Sequence, residues 1–237
     1  MPKKTAGQRI AQVFRKPWKT LTNRRYREFR RAYNHFRNDG IPTKRYEFNN
    51  LDSDSIVLDL GGFRGEWADD IHARYGSTIH VFEPHPEFAS TLQTKYTDHP
   101  HIHVHAVALS SSDGDLILSD TGDASSAIRA GEKSITGRRV EAGAYLQSIS
   151  VDHANLMKVN IEGGEYDILP HLAKLGWLNR IETIQVQFHD LCVTSDEERE
   201  SIRRELAQSH GEDWCYPFVW EQWSQSANVI QMPKRVA

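Results

Sequence analysis

The chain reads as an α/β protein built on a doubly wound, mostly parallel sheet, and three stretches predict it. Ile56–Leu60 (IVLDL) is apolar at four of five positions and stops at Gly61-Gly62, with Gly65 three residues further on, as a buried strand entering a tight turn does. Trp67, Ile71 and Tyr75 then recur every four residues, giving the next segment, Arg64–Tyr75, one apolar helical face. A second apolar run from Thr78 ends at Glu83, and Pro86 is placed to open a further helix carrying Phe88 and Leu92. Strand, glycine turn, helix and strand form a βαβ unit, which binds its ligands at the C-terminal ends of the strands.

The glycine turn narrows the ligand. A dinucleotide fingerprint, Gly-x-Gly-x-x-Gly, would put its first glycine on Leu60, so that fit is partial. What stands instead is Asp59-x-Gly61-Gly62-x-x-Gly65, an acid at the strand end before spaced glycines whose backbone N–H groups and lack of side chains admit a ligand closely. Glu83 lies 21 residues after Gly62, where a carboxylate can accept both hydroxyls of a ribose. An early acid of this kind suits a ligand with a cationic amino-acid tail, such as S-adenosylmethionine (SAM), better than a pyrophosphate.

Bulk properties bound the rest. The 237 residues suffice for one substantial core, and no Pro/Gly/Ser-rich linker divides them. No apolar run reaches the length of a membrane span, and the basic start is not followed by an apolar segment, so a cytoplasmic protein without a secretory signal is expected. Cys192 and Cys215 lack metal spacing and suit a reducing compartment. The net charge of −3 hides a division: residues 1–45 carry 14 basic and two acidic residues, a net of +12, against 15 basic and 30 acidic residues in the remainder, a net of −15. Within the basic arm, Tyr26, Phe29, Tyr33 and Phe36 form an aromatic stripe on a helix spanning Thr22 to Phe36, which Gly40-Ile41-Pro42 ends. The stripe either packs on the core or docks on an anionic surface, a membrane leaflet at the inner face or a nucleic acid.

Further along, His99, His101, His103 and His105 alternate, so on one strand all four face the same side, as a chelating site requires; a half-buried edge strand explains them equally. Asp113-Gly114 is a hairpin signal, and the polar stretch 119–137 reads as an active-site loop. The strand Leu156–Ile161 leads into Asn160-Ile161-Glu162-Gly163-Gly164-Glu165. Asn160 and Glu162, two apart, are expected to point the same way from its end, while Glu165 and Asp167 complement the dipole of the following helix. The strand Ile181–His189 ends in His189, a candidate general base beside Asn160, with a satisfied loop histidine as the alternative. A helix from Ser195 to Gln208 opens on a Ser195/Glu198 capping box, and the aromatic-rich end of the chain gives two strands around a Ser/Gln turn.

Four blocks, IVLDLGGFRGEW, HVFEPHPEFASTL, HVHAVALSSSDGDLIL and MKVNIEGGEYDIL, in that order over roughly residues 46 to 190, resemble the FkbM family of SAM-dependent methyltransferases. The resemblance implies a Rossmann-like class I fold with helices on both faces of a seven-stranded sheet of order 3-2-1-4-5-7-6, the last strand antiparallel. It implies a methyltransferase domain at 46–237 behind the arm at 1–45, and SAM as cofactor. SAM would lie over Gly61, Gly62, Phe63 and Gly65, with its amino-acid end near Asp59 and Asn160 and its ribose on Glu83 beside Pro84. Tyr46 would cover it, and the backbone of His105, Ala106 and Val107 would lie against the adenine. Ser125 and Ser126 match serines of the family near its substrate. The reaction implied is methylation of a sugar or natural-product hydroxyl, with His189 as first choice of base, Glu162 as second, and Asn160 orienting the substrate or the cofactor amine. Asn160 and Gln187 stand where the family often has acids; those departures lower the case for a divalent metal, though Glu162 and His189 could bind one. An RNA methyltransferase and a non-catalytic binding module on the same fold are the rival readings.

Overall fold

The computed structural model describes residues 24–119 and 134–225. In chain order these form α1 (Arg24–Asn38), α2 (Ile41–Lys44), β1 (Ile56–Leu60), α3 (Glu66–Tyr75), β2 (Thr78–Phe82), α4 (Pro86–Lys95), β3 (Ile102–His105), β4 (Ala108–Ser110) and β5 (Gly114–Ser119). After them come β6 (Ser134–Glu141), α5 (Ala142–Ser148), β7 (Ala154–Val159), α6 (Glu165–Lys174), β8 (Ile181–Val186), α7 (Ser195–Leu206), β9 (His210–Tyr216) and β10 (Trp220–Gln225). Seven strands make the central sheet in the order β3-β2-β1-β7-β8-β10-β9, which is the expected 3-2-1-4-5-7-6. The first five run parallel, and β10 lies antiparallel to both β8 and β9.

Both faces of β1 and β7 are buried, which is why their sequences run apolar instead of alternating. Leu58, Leu60, Met157 and Val159 face a core with Leu146 of α5, Ile168, Leu169 and Leu172 of α6, and Ile202 and Leu206 of α7. Val57, Leu156, Ile79 and Val81 face the other way, onto Trp67, Ala68 and Ile71 of α3 and Leu92 of α4. Pro86 occupies the first turn of α4, as its fixed φ predicts.

The aromatic stripe of α1 packs on the body. Phe36 and Ile41 are buried with Val219 and Trp220, Tyr33 joins them, and the Phe36 ring meets Tyr216 edge-on at 5.5 Å. Arg24, Arg27, Arg30 and Arg31 stay exposed on the helix. Among the described residues no helix is long and apolar enough to cross a membrane.

Several local expectations are corrected. β3 starts only at Ile102, so the four histidines do not share a face: His99 and His101 precede it and meet the ring of His72 on α3, whereas His103 and His105 meet His80 on β2. β4 and β5 do not pair across Asp113-Gly114; they flank β6, parallel and antiparallel, and Asp113 Oδ1 accepts the Glu141 N–H. The predicted 119–137 loop is shorter at its C-terminal end, because Ser134–Gly137 already pair with β5, and residues 120–133 lie outside the described residues. β9 and β10 turn at Pro217–Val219 rather than at a Ser/Gln turn, with Phe218 at φ 58°. α7 begins after Thr194; the Ser195 hydroxyl accepts the Leu191 and Cys192 N–H groups and so fastens the preceding loop instead of capping the helix.

His80 and His105 lie 3.0 Å apart, and burial lowers both pKa values to about 4, with repulsion from His105 and His103 adding to it at His80 and from His103 at His105. The unfolded chain, with histidines near 6.5, then binds the extra protons, so stability is complete above about pH 6.5 and declines as the pH falls toward 4. The midpoint of thermal unfolding is expected to fall across that window, and less steeply in His105→Phe. An unchanged slope in that variant would show that the ring pair is not its source.

Candidate active site

The C-terminal ends of β1, β2, β7 and β8 meet at one edge of the sheet. Gly61 turns away from β1 at φ 90°, and a Cβ there would lie 2.1 Å from the Asn160 carbonyl, so only glycine lets the two strand ends approach this closely. Gly65 opens α3 at φ 80°, where a Cβ would meet the Tyr96 hydroxyl at 2.4 Å. The glycine positions therefore satisfy the packing of the turn itself. Their room is taken by protein atoms, and what faces a ligand is decided by the side chains around them.

Glu83 is buried, and its fork closes on the loop's own backbone: Oε2 accepts the Phe63 N–H and Oε1 the His85 N–H, each at 2.8 Å. Burial raises its pKa, and those two hydrogen bonds pull it back. Each carboxylate oxygen keeps a second lone pair, so the group shapes the loop first and has capacity left for a hydroxyl. Beside it His85, buried and 4.5 Å from the Phe88 ring, has no partner among the described residues for either ring nitrogen. Sequence reading passed over His85, although it stands inside the FEPHPEF block. Phe63 stacks edge-on against Phe88 at 4.8 Å.

Of the three residues expected along an adenine, only Ala106 is exposed. The His105 carbonyl accepts the Glu83 N–H at 3.0 Å and its ring lies against Phe82, while Val107 is in the core. Pro84 is covered by β6, where a Cβ on Gly137 would fall 2.5 Å from its carbonyl oxygen. Ser125 and Ser126 lie outside the described residues.

Asp59 is fully buried and does not open directly to the crevice. Its Oδ1 accepts from Lys158 Nζ at 2.8 Å, and the same ammonium donates to the Gly61 carbonyl at 2.7 Å, tying β7 to the glycine turn. Burial raises the Asp59 pKa, opposed by Lys158 and Arg45. The register continues the polar row, Asp59 opposite Lys158, Lys158 opposite Gln185, and Gln185 opposite Gln222. Arg45 closes over this row. Its carbonyl accepts from Gln185 Nε2 at 2.8 Å, and its guanidinium sits 4.6 Å from the Tyr46 ring and 4.7 Å from Trp220. Tyr46 therefore reaches the site beneath Arg45, whose Nη2 donates to its hydroxyl at 2.7 Å.

Among the described residues, four buried polar atoms on and beside this row have no partner: Asp59 Oδ2, Gln185 Oε1, Arg45 Nη1 and Trp67 Nε1. Two acceptors and two donors are the complement of an ammonium and a carboxylate, the two ends of an amino acid. With Glu83 for a ribose and His85 for a base, the residues present fit SAM.

The catalytic candidates are organised by a residue whose sequence signal is only that of a helix dipole. Glu165 is wholly buried; its Oε1 accepts the His189 N–H at 2.8 Å and faces His189 Nδ1 at 3.1 Å, while Oε2 accepts the Gly163 N–H at 2.7 Å. A carboxylate only accepts, so in the neutral ring it selects the tautomer with the proton on Nδ1 and the lone pair on Nε2. Tyr166 secures the histidine from its other side, donating to the His189 carbonyl at 2.8 Å. Asp167 fastens β4 instead, accepting from the Ser110 hydroxyl and from the Ser111 N–H and hydroxyl. Asn160 and Glu162 do not share a strand face: β7 ends at Val159, and Glu162 lies in the following turn at φ 51°, both half-buried. A non-glycine residue adopts that conformation at an energetic cost. Among the described residues no three His, Cys, Asp or Glu side chains converge as a metal site would need.

The strand order, the antiparallel β10 and the glycine turn facing an acid-ended β2 define a Rossmann-like methyltransferase of class I. Residues 59–215 match the Methyltransferase FkbM domain, and the chain belongs to that family. It matches no curated protein. Among solved structures it is similar to the methyltransferase FkbM of Methylobacillus flagellatus (TM-score 0.46, 13% identity), covering 73% of this chain but only 44% of that one. It is also similar to SMU.1697c of Streptococcus mutans in complex with SAH (TM-score 0.47, 8% identity, 78% and 96% of the two chains). A third is an rRNA methylase of Streptococcus thermophilus (TM-score 0.43, 11% identity, 74% and 89%).

Proposed function

We propose that the protein is a SAM-dependent O-methyltransferase acting on a hydroxyl of a sugar or natural product. One observation carries the reading: the buried Glu165 carboxylate engages His189 Nδ1 and the Gly163 N–H together, so Nε2 is the ring nitrogen that would take a proton. Bound SAM supplies an electrophilic methyl carbon on a sulfonium. An alcohol is a poor nucleophile until its proton leaves, so a fixed base and alignment are what the protein must add. His189 Nε2 would take the proton of the acceptor hydroxyl and so make its oxygen nucleophilic toward that methyl carbon. Asn160 and Glu162 flank the approach. The polar row with Arg45 and Trp67 holds the amino-acid end, Glu83 the ribose, and His85 with Phe63 and Phe88 the base.

Calorimetric titration with S-adenosylhomocysteine tests the cofactor half. The wild-type protein is expected to bind it, and Glu83→Gln to bind it at least tenfold more weakly, a loss of about 1.4 kcal/mol or more. The amide oxygen can still accept one of the two backbone N–H groups, so the variant stays folded. Absence of binding by the wild type removes the enzyme reading; equal binding by the variant removes Glu83 from the ribose.

A further inference from the structure

We propose that the acceptor hydroxyl is presented from a cleft of about 540 Å³ between α1 and the ends of β8 and β9, and that this cleft takes a neutral, polyhydroxylated ring. The inference rests on the methyltransferase reading and extends it to the second substrate. The cleft belongs to the catalytic edge. Asp190 follows His189 directly, and the Pro217–Val219 turn lies at the C-terminal end of β8, since Glu221 pairs with Val186. Its volume falls within the roughly 300–1,000 Å³ of small-molecule sites.

The walls are of two kinds. Tyr26 and Phe29 of α1 and Phe218 of the β9–β10 turn offer aromatic surface. Phe29 is 39% exposed, and Phe218 is held at φ 58°, a conformation that a bulky residue adopts at a cost and that keeps its ring at the cleft. The polar wall is already neutralised: Arg25 binds Asp190 at 2.7 Å and Asp196 at 3.4 Å, Glu28 binds Arg24, and Arg199 is buried against Glu221. Among the described residues lining the cleft, each cation faces a carboxylate, so none of these guanidinium groups is left to neutralise a phosphate. Carboxylates beside aromatic faces suit a ring with hydroxyls on its rim and C–H groups on its face.

The cleft also joins two parts of the chain. Asp190, Asp196 and Arg199 fall within the family match at 59–215, whereas α1, Pro217 and Phe218 lie outside it. The shared domain thus supplies the base and the cofactor seat, and the flanks supply acceptor selectivity. The helix whose stripe the sequence leaves either to core packing or to docking becomes a wall of the substrate site.

Saturation-transfer NMR on the full chain with bound S-adenosylhomocysteine tests this, using methyl glucopyranoside, methyl mannopyranoside, methyl rhamnopyranoside and glucose 6-phosphate as probes. At least one neutral glycoside is expected to receive saturation on its ring C–H protons, and the phosphate none. Phe29→Ala and Phe218→Gly should each weaken that binding by about tenfold, with cofactor affinity unchanged. Phe29 is half open and glycine suits φ 58°, so both variants keep the fold, as their melting temperatures will show. Cofactor bound with no glycoside signal, a signal indifferent to both substitutions, or preference for the phosphate overturns the cleft alone. Failure of the wild type to bind the cofactor overturns the reading beneath it.

Discussion

Turnover of the His189→Ala variant is expected to fall by on the order of 10²–10⁴-fold, with S-adenosylhomocysteine affinity unchanged within about twofold. The reason is the separation of tasks at this edge of the sheet. His189 is tied to Glu165 and Tyr166 beyond the end of β8, while the groups that suit SAM lie on β1, α3, the turn after β2 and the segment before β1. Gln185 is on β8 itself but four residues before His189 and engaged by Arg45 and Gln222. Glu165→Gln should reproduce part of the loss, on the order of tenfold or more, because an amide no longer dictates which ring nitrogen carries the proton. The fall should sit in kcat and leave KM and cofactor affinity nearly unchanged, which a merely structural carboxylate would not do. Glu165→Asp, one methylene shorter, should recover less than half of it. A histidine variant that keeps its turnover, or loses cofactor binding instead, would move the base elsewhere.

Lys158→Met is expected to destabilise the protein by about 3–5 kcal/mol, since it leaves the Asp59 carboxylate uncompensated in the core. The paired replacement Asp59→Leu/Lys158→Met should recover most of that stability, because removing both charges also removes the desolvation cost. Cofactor affinity should not return with it: the bond from Lys158 to the Gly61 carbonyl and the free Asp59 oxygen are both gone. Denaturant midpoints and cofactor titrations on the two variants separate these effects. Normal cofactor binding by the double variant would reduce the pair to a structural role.

The βαβ unit and the strand order were legible because they rest on local signals: apolar runs of strand length, a glycine turn, helical spacing, and four blocks in family order. Local signals do not reveal the roles of groups whose partners are distant in the chain. Glu165 looks like a first-turn acid of α6, and its role depends on His189, 24 residues on and one strand over. Lys158 sits mid-strand in an apolar run, and only the β1–β7 register puts it opposite Asp59, 99 residues earlier. Glu83 was rightly placed at the end of β2, but the two backbone N–H groups that claim it come from turns whose path depends on close packing.

From its residues alone the chain declares a parallel α/β sheet of the FkbM methyltransferase family, with a glycine turn and a carboxylate at adjoining strand ends. Periodicity and turn chemistry act over a few residues and survive any tertiary arrangement. The packed structure alone decides that Asp59 pairs inward with Lys158, that Glu165 binds His189, and that α1 packs on the β9–β10 turn. Those outcomes depend on which buried charges find partners, and pairing across strands is set by register and packing, which no short stretch of sequence contains.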